Sequence, residues 1–124
     1  MSFSLEARNN GNVLIIRTQE TLTRDDMVHM SNEIRTHCRQ IEGTVHIVAD
    51  MMATEQYPRN VVELKKVVTW THESNLDWVV YLSNNHYLNV VLDAVMHMSG
   101  HSYLMLDNFD AALMIVSADV QMVD

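Results

Sequence analysis

The residues in this sequence best placed to do chemistry are a carboxylate and a histidine at the ends of two apolar runs. Asp50 closes the run Thr44-Val45-His46-Ile47-Val48-Ala49, and Asn84-Asn85-His86 follows the run from Trp78 to Leu82. If both runs are neighbouring strands of a parallel sheet, these side chains project at one sheet edge, with Asp107 beside them. A carboxylate that orients a histidine is one ingredient of acid–base catalysis. The plainer roles are helix caps for Asp50 and Asp107 and turn residues for Asn84 and Asn85. No Ser, Cys or Lys is placed beside them as a nucleophile, and no glycine-rich phosphate loop follows the second or third strand. The chain is therefore not expected to be an enzyme.

Seven histidines raise the question of a metal. His97 and His101 are spaced like two ligands on one helix face, but Gly100 ends the helix between them. His29 and His37 lie two turns apart on the first helix. No His, Cys or carboxylate grouping reaches three ligands by spacing, so neither a metal nor a cofactor is expected. Cys38 falls on an apolar stripe and reads as a core thiol.

A second kind of candidate is apolar. Val90, Ala94 and Met98 form a stripe that, with Tyr57, Trp70 and Tyr87, could make one surface. That surface would be a dimer contact or a ligand groove, unless the domain itself buries it. The ten methionines fit either a core or an adaptable binding surface.

Composition narrows the classes. The 124 residues suit one domain spanning 1–124, and 48% hydrophobic content is enough to build a core. A formal charge of -8 argues against nucleic acid and against anionic lipid surfaces, which both need basic faces. A single cysteine allows no internal disulfide and suits the cytoplasm. The first residues show no basic region followed by an apolar core, so no signal peptide is expected. No apolar run approaches the roughly 20 residues of a membrane span.

Hydrophobic periodicity supplies the elements that would position these groups. Residues 4–8 and 12–18 read as strands joined at Asn9-Asn10-Gly11, where Asn-Gly predicts a type I′ hairpin turn. Thr23 caps a helix with Asp25 and Asp26 in its first turn, and Gly43 ends it. Its apolar stripe is Met27, Met30, Ile34, Cys38 and Ile41. A strand over 44–49 follows. Pro58 then starts a second helix with the stripe Val61, Leu64, Val68 and Thr71, leaving Val62 and Trp70 outside it and fading at Ser74-Asn75. A strand covers 78–82. A third helix runs from Tyr87 to Ser99, with Gly100 as its left-handed cap and Leu88, Val91, Leu92 and Val95 as its apolar face. With its second apolar set, this helix is hydrophobic almost all round. It must be deeply buried or covered by a partner. A strand over 103–106 leads to a last helix capped by Asp107 or Asn108, with the stripe Phe109, Ala112, Leu113 and Val116. The tail from Ala118 to Asp124 is expected to fray. Right-handed crossovers between these elements give an α/β fold: a mostly parallel five-stranded sheet, an N-terminal antiparallel hairpin and four helices.

In this order and spacing the segments LTRDDMVHMSNEIR, IVAD, LDWVVYLSNNHYLNVVLDAV and YLMLDNFDAALMIV resemble the STAS-related, SpoIIAA-like domains, small α/β proteins of bacteria. The resemblance runs from about Val13 to Val116. It implies a regulatory or ligand-sensing module rather than an enzyme. In the anti-sigma-factor antagonists of this family, a phosphorylated serine or threonine lies just after the strand ending in Asp. Here Met51 follows Asp50, and Thr54 is the nearest hydroxyl and hence the phosphorylation candidate. Within the family the chain is more like the largely uncharacterised single-domain branch. Some relatives of that branch are suspected of holding an apolar ligand.

The expectation is a cytoplasmic, non-enzymatic module that binds a protein partner, chiefly a second copy of itself, as a dimer. The alternative is a small carrier of an apolar, lipid-like ligand held between methionine-rich second and third helices. Candidate binding residues for either are Asp50, Met51, Thr54, Tyr57, Asn84, Asn85, His86, Tyr87, Val90, Ala94 and Met98.

Overall fold

The computed structural model describes residues 3–123, with side chains up to residue 117. Its strands are β1 (Phe3–Arg8), β2 (Val13–Thr18), β3 (Val45–Asp50), β4 (Leu76–Leu82) and β5 (Leu104–Leu106). Its helices are α1 (Arg24–Gln40), α2 (Val61–Val67), α3 (His86–Ser99) and α4 (Phe109–Val123). The five strands lie side by side in chain order. β1 runs antiparallel to β2, and every later strand is parallel to its neighbour.

That order decides where the helices go. Each crossover from β2 to β5 steps in the same direction and is right-handed, so α1, α2 and α3 fall on one face of the sheet. Leu14, Ile16, Ile47, Val79 and Tyr81 meet them there, with Ile34, Cys38, Leu64, Leu88, Leu92 and Val95 from the helices. The alternate strand residues Val13, Ile15, Val48, Val80 and Leu82 face the other way and pack on Ala112 and Val116 of α4. Two covered faces explain why β2 and β3 read as near-continuous apolar runs.

The first helix starts as its sequence predicts. Thr23 accepts the Asp26 N–H, and Asp26 returns the bond to the Thr23 N–H, a capping box. Its end differs, because the helix stops at Gln40 and the Asn75 side-chain amide reaches its last carbonyls, at 2.8 Å from Cys38 O. The hairpin connection is also wider than a two-residue turn. Arg8 pairs with Val13, leaving residues 9–12 as the connection. Asn9, Asn10 and Gly11 all have positive φ, at 53°, 58° and 93°. The φ of Gly11 favours glycine there, and a Cβ would in addition displace the end of the Ile41 side chain.

The second helix departs most from expectation. Pro58 lies outside the helix, which begins at Val61 because Asn60 accepts the Glu63 N–H and so supplies the N-cap. It ends at Val67, and a 3-10 turn over Trp70–His72 replaces the fading helical end. The break rotates Trp70, placed outside the stripe by an unbroken helix, into the core, where it is buried. Val62 is exposed and Thr71 buried, as that stripe required. The last helix is capped by Asn108, whose side-chain Oδ1 accepts the Ala111 N–H at 3.0 Å. Its backbone is helical to Val123, past the expected fraying point, and the side chains from Ala118 to Asp124 lie outside the described residues.

Candidate functional site

The topology brings the predicted polar residues to one edge. Asp50 pairs with Leu82 across β3 and β4, so the Asn84-Asn85-His86 loop leaves the sheet beside it. β5 ends alongside at Leu106, which places Asp107 at the same edge. Their hydrogen bonds are local. Asp50 Oδ1 accepts the Met52 N–H at 3.1 Å, an Asx turn instead of a helix cap. Asn85 Oδ1 accepts the N–H groups of Tyr87 and Leu88 at 3.0 and 3.2 Å and is the α3 N-cap. Asn84 is exposed, and the exposed His86 ring packs edge-on against Tyr87 at 5.8 Å between centroids. Among the described residues no hydrogen bond joins Asp50 to His86.

The loop after Asp50 is built into the core. Met51 is buried under the α1–α3 layer. Thr54 is 3% exposed, and its hydroxyl donates to Gln19 O at 2.9 Å while accepting from the Thr18 hydroxyl. Backbone bonds from Glu55 and Gln56 N–H to Glu20 O, and from Leu22 N–H to Gln56 O, fix the loop against the segment after β2. The Thr54 hydroxyl is thus buried and hydrogen-bonded on both sides. Tyr57 packs partly buried beside the same core, its hydroxyl enclosed without a hydrogen-bond partner among the described residues and its ring 5.2 Å from the Arg59 guanidinium.

The apolar candidates divide. On α3, Leu88, Leu92, Val95 and Met96 are buried, while Tyr87, Val90 and Met98 are 71%, 54% and 46% exposed. Ala94 lies partly buried between Val90 and Met98. Trp70, expected on the same surface, is in the core instead. Beside the stripe, His86, Asn89, Val90, Asp93 and Met105 line a shallow cleft, and Asn89 Oδ1 is enclosed without a hydrogen-bond partner among the described residues.

An internal cavity of about 50 Å³ lies between sheet and helices, lined by Met27, Met30, Met51, Trp70 and Tyr81 among others. Its methionines come from α1 and the loop after β3. The second and third helices were expected to supply them, but α2 has none and Met96 of α3 accepts the Tyr81 hydroxyl at 3.3 Å. Burial holds the Tyr81 hydroxyl protonated far above its ordinary range. Cys38 is core, as its stripe position implies. Burial, reinforced by the Glu73 carboxylate, pushes its thiol up to about 11.

The histidines are dispersed. His37 Nε2–H donates to Gly11 O at 2.8 Å, and His101 Nδ1–H donates to Ser102 O at 2.8 Å beyond the left-handed cap Gly100. His46, which the sequence reading passed over, is 1% exposed, and its Nδ1 accepts the Trp78 N–H at 3.2 Å. That bond falls where the β3–β4 register slips between Val45 and Ile47, so the imidazole supplies an acceptor that the ladder does not. A polar residue inside an apolar strand run was the available signal. Among the described residues no three His, Cys, Asp or Glu side chains gather as a metal would require. At the far end of the sheet, Arg8 and then Arg17 hold the Glu6 carboxyl below its usual range.

No protein-family model and no curated protein matches this sequence. Among solved structures it is similar to an uncharacterised protein of the DUF3478 family, with a SpoIIAA-like fold, from Shewanella loihica PV-4. The TM-score is 0.65 over 92% of this chain and 91% of that one, at 10% sequence identity. With the sheet order and helix placement above, this likeness establishes a SpoIIAA-like α/β fold for the chain.

Proposed function

We propose that this protein is a non-enzymatic interaction module that recognises protein through the outer face of α3, and that it self-associates there. One observation carries the reading: Tyr87, Val90 and Met98 expose apolar side chains along one helix, although the domain already buries that helix's other side. An apolar stripe that the fold leaves in water marks a contact surface. The polar edge beside it supports the same reading, because Asp50, Asn85 and Thr54 spend their hydrogen bonds on loop and cap structure. The charge of -8 favours a protein partner over nucleic acid. The lone, buried thiol suits a cytoplasmic setting. No helix among the described residues is long and apolar enough to cross a membrane.

Size-exclusion chromatography with light scattering tests this. The wild type should gain mass with concentration, and Val90→Glu with Met98→Glu should hold it at the monomer mass with unchanged thermal stability. A wild type that is monomeric throughout would overturn self-association.

The second reading is an apolar-ligand carrier, and the enclosed, apolar cavity favours it. At about 50 Å³ it is well below the several hundred Å³ of ordinary ligand sites, so a ligand would have to part α1 from α2 and α3. Native mass spectrometry of protein taken from cells decides: a co-purifying apolar molecule supports the carrier, and bare chain retires it.

A further inference from the structure

We infer that α3 packs on α3 of a second copy in antiparallel fashion, with the two-fold axis passing beside Ala94. This rests on the self-association proposed above and adds its register. The spacing carries it. Val90, Ala94 and Met98 recur every four residues with the small residue in the middle. Residues four apart stack on one helix face, so the three form a single ridge, with Tyr87 one turn further toward the N-terminus.

A two-fold contact must be self-complementary. Centring it on Ala94 lets the backbones approach closely where the side chain is smallest. The larger side chains then interleave, Val90 against Met98 of the partner subunit and the reverse. Centring it on Val90 or Met98 would oppose two large side chains and leave half the ridge in water.

Charge points the same way. The chain carries -8 overall, so a second copy is repelled by most of the surface. On α3 the only acid is Asp93, there is no Lys or Arg, and His86 and His97 share the flank with Asp93. Antiparallel packing about Ala94 brings the same flank of each helix together. Asp93 then lies about 3 Å along the axis from His97 of the partner subunit. The acid of each copy thus meets an imidazole of the other. One helix pair of 14 residues is a small contact, so the dimer should belong to the weak class that dissociates on dilution.

Cysteine cross-linking reads the register directly, because the only native cysteine is buried and stays silent. At an interaxial distance of about 8 Å, facing Cα atoms come within about 4–6 Å, inside disulfide range. Two Val90 residues would be about 12 Å apart along the axis, outside it. Under mild oxidation, Ala94→Cys should form a covalent dimer. Val90→Cys and Met98→Cys should each give little alone but should cross-link when mixed. If light scattering shows a dimer while neither Ala94→Cys nor the mixture cross-links, the register is wrong and self-association stands. If Val90→Cys cross-links to itself, the axis lies elsewhere and the inference is overturned. A wild type monomeric at every concentration removes both.

Discussion

The two sides of α3 have nearly the same chemistry and opposite fates. Leu88, Leu92, Val95 and Met96 face the sheet and are buried, while Tyr87, Val90 and Met98 face away and are exposed. Burying a large apolar side chain stabilises a fold by about 1.5–3 kcal/mol, so the inner side is accounted for by folding alone. The outer side contributes a smaller part of that term to the monomer, since Val90 and Met98 keep about half of their surface exposed. A helix apolar all round is therefore two objects: a core element, and an apolar surface that the fold itself leaves exposed.

Substitutions can break or sharpen that contrast, and the largest effect belongs to the inner side. Leu88, 1% exposed, becomes a cavity in Leu88→Ala, which should lower the unfolding free energy by about 2–5 kcal/mol in chemical denaturation. The next effect tests whether the loop after Asp50 is architecture. Thr54→Ala removes the donor to Gln19 O and leaves the Thr18 hydroxyl only its long bond to Asp50 O, and the same measurement should show a loss of about 1–3 kcal/mol. A loss near zero would return that loop to the list of switch elements.

Alkaline pH gives a third probe of the inner layer. The Cys38 thiol is held at about 11 in the fold against an ordinary thiol near 9, and Tyr81 is raised as well. The unfolded chain therefore releases these protons first. The stability contributed by the neutral groups is complete below about pH 9 and falls as pH rises toward 11. Urea melts across that range should show the decline, and Cys38→Ala should flatten part of it. The smallest effect belongs to the outer side: Val90→Ala, at a 54% exposed position, should change monomer stability by no more than about 0.5 kcal/mol.

The fold was legible in the sequence where local chemistry decides it. Thr23 with Asp26, Asn108, Gly100 and the uninterrupted apolar runs of β2 and β3 each act within a few residues or reflect simple burial. What was not legible depends on distant partners. Pro58 read as a helix start, but Asn60 makes the cap that forms. Trp70 enters the core only because the helix breaks at Val68, and Asn75 closes a helix that ended more than thirty residues earlier. His46 gained a role from a register slip between two strands that no single segment announces. For the site, the apolar set on α3 could be read directly, and which half faced water could not. That division follows from how α3 sits on β4 and β5. Thr54 carried the hydroxyl that a switch needs, and only its buried partners show that the hydroxyl is already committed.

The most direct test of the account is the mass of the wild-type protein by light scattering over a dilution series. The chain weighs 14.3 kDa. The account predicts a rise toward twice that mass at high concentration and its loss in the Val90→Glu, Met98→Glu double variant. A constant 14.3 kDa in the wild type at every concentration would contradict it.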